Sequence, residues 1–106
     1  MSRPTASADV FRAIADPTRR AILTRLRQGP SHVNALASEF EQSRPAISKH
    51  LRILQDAGIV TGRRSGREHI IALQPETLRE VDHWLLEFRA LWQTNLNQLK
   101  AYLEQE

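Results

Sequence analysis

The sequence predicts a mostly α (α+β) fold: a single domain of 106 residues with one β-hairpin and a long C-terminal helix. Three observations lead there. Apolar residues recur at spacings of three and four over most of the chain, the period of a buried helix face. Between Ile59 and Leu73 that period gives way to two short runs of branched residues on either side of Ser65-Gly66. From Pro75 a helical stripe returns and persists to the end of the chain.

The elements follow in order. The stretch from Met1 to Ser7 is polar and expected to fray. Val10, Phe11 and Ile14 give a short helix over 8–15 one apolar side. Asp16-Pro17 marks a boundary, because aspartate caps helices and proline fits the first helical position. The next helix runs to about Arg27, with Ile22, Leu23 and Leu26 inward and Arg19, Arg20, Arg25 and Arg27 outward, and Gly29-Pro30 stops it. Ser31 is then the expected cap of a third helix through about Phe40, built on Val33, Leu36 and Ala37.

The most informative stretch is Ser43 to Gly58, SRPAISKHLRILQDAG. Ser43 is a good N-cap, Pro45 sits in the first turn, and Gly58 supplies the usual left-handed stop. Ile47, Leu51 and Leu54 form one apolar stripe, while Arg44, Pro45, Ser48, Lys49 and Arg52 fall on a different arc. Taken alone, this is an ordinary amphipathic surface helix. Its neighbours change the reading. Glu41-Gln42 make a tight turn from the preceding helix, which gives a helix-turn-helix pattern. The hairpin that follows carries Arg63, Arg64 and Arg67 at its tip, and such a cluster repels itself unless an anion lies beside it. A helix-turn-helix followed by a basic hairpin is a winged helix-turn-helix, suited to place one helix in a DNA major groove and the hairpin along phosphates.

Charge and composition agree with that assignment. The net charge is only +3, but residues 43–75 carry a local balance of +4 and residues 76–106 one of −3. One surface is therefore expected to face a polyanion and another something else. With no cysteine, disulfides and thiolate chemistry are excluded. No apolar run resembles a signal peptide or a membrane span, so a cytoplasmic location is expected. No glycine-rich phosphate loop or serine-histidine-acid set is present, so no catalytic residue and no cofactor is assigned.

Several motifs together resemble the ArsR family of bacterial winged-helix repressors. They are Phe11 to Arg20 (FRAIADPTRR), Ser43 to Leu51 (SRPAISKHL), Ala57-Gly58-Ile59-Val60 and Gly66-Arg67, and the match covers nearly the whole chain. The resemblance implies a homodimeric repressor of its own or a linked operon that reads an inverted-repeat operator in double-stranded DNA. It also implies that Ser43, Arg44, Pro45, Ser48 and Lys49 touch bases and phosphates. The third helix carries no cysteine motif, and the run Trp84-Leu85, Phe88-Arg89 and Trp92 looks like that of a subgroup without metal sites.

The last helix, expected to begin at Glu76 or Thr77, occupies residues 76–106. Leu78, Val81, Leu85, Phe88, Trp92, Leu96, Leu99 and Leu103 form its stripe, broadened by Trp84, Leu91 and Tyr102. So much apolar surface exceeds what the other elements can cover, and a second copy of the chain is the simplest cover. The expected dimer interface joins Trp84, Leu85, Phe88, Leu91, Trp92, Leu96 and Leu99 to Val10, Phe11 and Ile14 of the first helix. Glu80, His83 and Glu87 share the opposite face at a spacing able to hold a metal, but a solvated face is the simpler reading and no metal is assigned. His50 points to the flank of the buried stripe, which suits a packed histidine. Two alternatives stand beside the DNA reading: a winged helix that binds an acidic protein partner, and a repressor that responds to a metal or small ligand.

Overall fold

The computed structural model describes residues 6–105, with side chains from Asp9 onward. Most of the polar N-terminal stretch, residues 1–5, lies outside the described residues. Helix α1 (Ala6–Ala13) begins and ends earlier than its apolar pattern suggests. Its end is set by the next helix, α2 (Pro17–Leu26). Arg19 donates from Nε to the Ala13 carbonyl at 2.7 Å and from Nη2 to the Arg12 carbonyl at 3.1 Å. Arg20 donates to the Ile14 carbonyl at 2.9 Å. Two arginines expected to face outward thus bind carbonyls at and just after the end of α1, where the Arg12 carbonyl also accepts the Ala15 N–H. Asp16 caps α2 as expected, accepting the Arg19 N–H at 3.0 Å, with Pro17 in the first turn.

Ser31 departs from its expected role. Ser31 and His32 form a short strand, β1 (Ser31–His32), and Ser31 is buried with its hydroxyl on the His32 carbonyl. The third helix, α3 (Val33–Ala37), is shorter than expected and has His32 at its cap position, where its side chain makes no capping bond. Helix α4 (Arg44–Asp56) follows the sequence reading closely: Ser43 Oγ accepts the Ala46 N–H at 3.2 Å, and Gly58 takes φ +79° after the last turn.

Strands β2 (Val60–Ser65) and β3 (Glu68–Leu73) form the hairpin, with Val60 opposite Leu73 and Ser65 opposite Glu68. The hairpin is part of a three-stranded antiparallel sheet in the order β1-β3-β2, because Ser31 and His32 pair with Ile71 and Ile70. Ile22, Leu36, Ile47, Leu54, Ile59 and Ile71 are fully buried in one core beneath this sheet and the helices. Each such aliphatic side chain contributes about 1.5–3 kcal/mol relative to exposure.

The chain then turns through a 3-10 segment, Pro75–Leu78, into helix α5 (Arg79–Glu104). The α-helix starts later than expected because the Thr77 hydroxyl is engaged elsewhere, donating to the Gly58 carbonyl at 2.6 Å. That bond and the one from Gln74 N–H to the Ile59 carbonyl tie the end of α4 to the start of α5. Leu78 and Val81 pack on the core, and Phe11 meets Trp84 edge to face with centroids 5.5 Å apart. Beyond Leu85, which shares a hollow with Ile14 and Leu23, the side chains of α5 are exposed. Val10, expected at a dimer interface, is only 1% exposed: its side chain completes the chain's own core and leaves nothing for a partner.

Candidate nucleic-acid interface

Helix α4 divides its side chains as the stripe requires. Ile47, Leu51 and Leu54 are buried, whereas Ser43, Arg44, Pro45, Ser48, Lys49 and Arg52 are all exposed. Exposed cations and a hydroxyl therefore crowd the first two turns of a helix whose opposite side is locked into the core. A helix held so firmly presents its outer face at a fixed angle, as groove insertion needs.

The wing lies beside that face. The register places Arg64 opposite His69 and Arg63 opposite Ile70, and the turn is made by Gly66, at φ +64°, and Arg67. Only Arg67 therefore sits at the tip; Arg63 and Arg64 belong to β2. Adjacent strand residues point to opposite faces, and Arg64 joins Arg44 and Arg67 in lining a polar cleft of about 370 Å³ between the wing and the starts of α3 and α4. Arg63 is not among its lining residues. Glu68 sits in the same cleft and pairs with His32 Nδ1 at 2.8 Å, so its charge is directed toward β1. At the base of the wing, Gln55 and His69 close over Gly62, and a Cβ there would lie 2.5 Å and 2.7 Å from their Nε2 atoms. Gly62 lets helix and wing approach this closely.

A second cluster on the same end of the molecule escaped the sequence reading. The Gln42 amide, just before the α4 cap, donates to Thr18 Oγ1 at 2.7 Å, and its carbonyl oxygen lies 3.3 Å from His50 Nε2. His50 Nδ1 lies 3.3 Å from Arg19 Nη1 and 3.9 Å from Asp16. The packed histidine expected at position 50 is thus a hydrogen-bonded link between α2, α4 and the turn. The Arg19 N–H is the first cause holding the Asp16 carboxyl below its usual range, partial burial opposes it, and His50 and the Arg19 side chain add to the lowering. None of these contacts is visible as a spacing, because they join residues up to 31 positions apart.

On α5 the expected apolar stripe is laid bare. Trp92, Leu96 and Leu99 are 67%, 60% and 55% exposed, and Trp84, Leu85, Phe88 and Leu91 are exposed as well. Phe11 and Ile14 are half-buried; Ile14 shares an apolar hollow of about 360 Å³ with Leu23 and Leu85. Among the described residues no three histidine or acidic side chains gather to hold a metal, and Glu80, His83 and Glu87 form no such group. Nor is any helix among them long and apolar enough to cross a membrane.

Core, basic helix, sheet and wing together define a winged helix-turn-helix protein. Residues 16–61 match the family described as bacterial regulatory protein, arsR family. The transcriptional repressor SdpR of Bacillus subtilis (strain 168) is 39% identical over 80 residues, covering 76% of this chain and 89% of that protein. A crystal structure of an ArsR family transcriptional regulator is 38% identical with a TM-score of 0.76, over 87% of this chain and 95% of the other. The solution structure of a homodimeric winged helix-turn-helix DNA-binding domain from Mycobacterium bovis, a possible ArsR-family regulator, is 26% identical. Its TM-score is 0.66, over 81% of this chain and 82% of that one. The chain belongs to the ArsR family of bacterial transcriptional regulators.

Proposed function

We propose that this regulator is a homodimeric repressor, acting in the cytoplasm, that binds an inverted-repeat operator near its own or a linked promoter. The observation that carries the reading is that one chain exposes two faces of different chemistry. On one, Arg44, Ser48, Lys49 and Arg52 of α4 are exposed, with Arg44 sharing a cleft with Arg64 and Arg67 of the wing; on the other, α5 exposes Phe88, Trp92, Leu96 and Leu99. The first face suits a polyanion and the second a copy of itself. Each explains the other. One recognition helix reads only a few base pairs, too few to select a site in a genome, whereas two related by a two-fold axis read half-sites about one turn apart.

In this arrangement Arg44 and Ser48 reach base edges, Ser43, Pro45, Lys49 and Arg52 seat the helix in the groove, and Arg63, Arg64 and Arg67 meet phosphates or the minor groove. Trp84, Leu85, Phe88, Leu91, Trp92, Leu96 and Leu99 face the partner, supported by Phe11 and Ile14. The function is binding, with no catalytic step and no assigned cofactor. SdpR, as a transcriptional repressor, and the homodimeric mycobacterial domain support both halves of the reading. A salt titration against random duplex DNA tests it at once. The expected result is steep loss of affinity with salt; no binding at low salt would point instead to a protein partner for the basic wing.

A further inference from the structure

We propose, building on the DNA-binding reading, that Thr18 and Gln42 form a phosphate contact beside the recognition helix, aimed by His50 and Arg19 as positioning residues. The proposal comes from the direction of one hydrogen-bond chain. A guanidinium can only donate, so in the neutral imidazole of His50 the Nδ1 that faces Arg19 Nη1 at 3.3 Å accepts. That leaves the proton on Nε2, which donates to the Gln42 carbonyl oxygen 3.3 Å away. With its oxygen held there, Gln42 presents its NH2 group to Thr18, donating one proton to Oγ1 at 2.7 Å. Thr18 Oγ1 is then an acceptor in this bond and its own proton is directed elsewhere.

The chain therefore ends in two outward donors: the Thr18 hydroxyl proton and the second N–H of Gln42. A glutamine that reads adenine uses its oxygen and nitrogen together, and here His50 has taken the oxygen. The two protons left over, one on the Gln42 amide and one on the Thr18 hydroxyl, match the oxygens of a phosphate. Gln42 immediately precedes Ser43, so the contact would flank the basic start of α4. Arg19 is itself fixed, through the Ala13 and Arg12 carbonyls, to the end of α1. The charged groups facing His50 are Arg19 and Asp16; the Asp16 carboxylate lies on the Nδ1 side, where it accepts the Arg19 N–H.

The test is fluorescence anisotropy with a labelled random-sequence duplex at low and rising salt, with thermal melting of each variant. Thr18→Val should weaken binding about tenfold, the effect of one hydrogen bond to a charged group, with an unchanged salt slope because no cation is removed. Thr18→Ser should restore binding. Gln42→Glu still accepts from His50, but it reverses the Thr18 bond, taking up the hydroxyl proton, and turns a carboxylate outward, so it should weaken binding more than Thr18→Val. His50→Gln, which keeps an N–H for the Gln42 oxygen, should bind better than His50→Leu. Wild-type affinity in both Thr18→Val and Gln42→Glu would overturn the contact, as would a loss that only tracks a lowered melting temperature. A wild type that ignores the duplex altogether would overturn the DNA reading itself.

Discussion

Arg44 and Arg67 line one cleft, yet they are expected to do different work. Arg44 projects from the first turn of α4, where side chains reach base edges. Arg44→Ala should cost about 1–3 kcal/mol on the operator and flatten the preference at one base position. An affinity-selected sequence profile checks this, and an unchanged profile would remove Arg44 from base reading. Replacing Arg63, Arg64 or Arg67 should instead weaken operator and random DNA alike and lower the salt slope by about one. Asp16 belongs to the same scale. The Arg19 N–H holds its carboxyl below the usual range in the folded chain, so its charge stabilises the fold above that range. That contribution fades as pH falls through the lowered value. Asp16→Asn should be less stable than wild type near neutrality, with the gap closing in acid; urea unfolding at several pH values checks it, and a gap constant into acid would contradict it.

Among the elements, α4 was legible almost to the residue because three local signals agree there: the Ser43 cap, the Ile47-Leu51-Leu54 stripe and the Gly58 stop. The hairpin was legible for the same reason. Strand β1 was not. Two residues carry no alternation, and Ser31 ahead of an apolar run looks like a cap until Ile71 is seen to pair with it. The start of α5 was displaced by another long-range contact, the Thr77 bond to Gly58. Helix α5 also yields the sharpest contrast between a lone chain and an assembly. Trp92 is mostly exposed on one chain, so Trp92→Ala should change a monomer's stability by only about 0.5 kcal/mol. Buried in a dimer, the same truncation should cost roughly 3–5 kcal/mol. Melting across protein concentrations separates the two: a concentration-dependent midpoint, lowered in the variant, is the expected outcome.

At the scale of the molecule, the radius of gyration is 18.2 Å, against about 13 Å for a compact domain of this size. The excess comes from α5, about 39 Å long at 1.5 Å per residue, which leaves its own core after Val81. The stripe was readable in the sequence, and so was its excess over what the other elements could cover. Which end of α1 supports it was not, since Val10 and Phe11 are neighbours in one apolar pattern and only packing sends Val10 inward and Phe11 to Trp84. The Thr18, Gln42 and His50 cluster was equally hidden, being made of polar residues that no periodicity singles out. Selection of one operator depends on two copies presenting two recognition helices together. Sedimentation velocity at micromolar concentration, alone and with a duplex long enough for two half-sites, tests that directly. The expected result is a species of twice the chain's mass that binds the duplex as two chains together; a clean monomer that binds the same duplex tightly, one chain at a time, would contradict it.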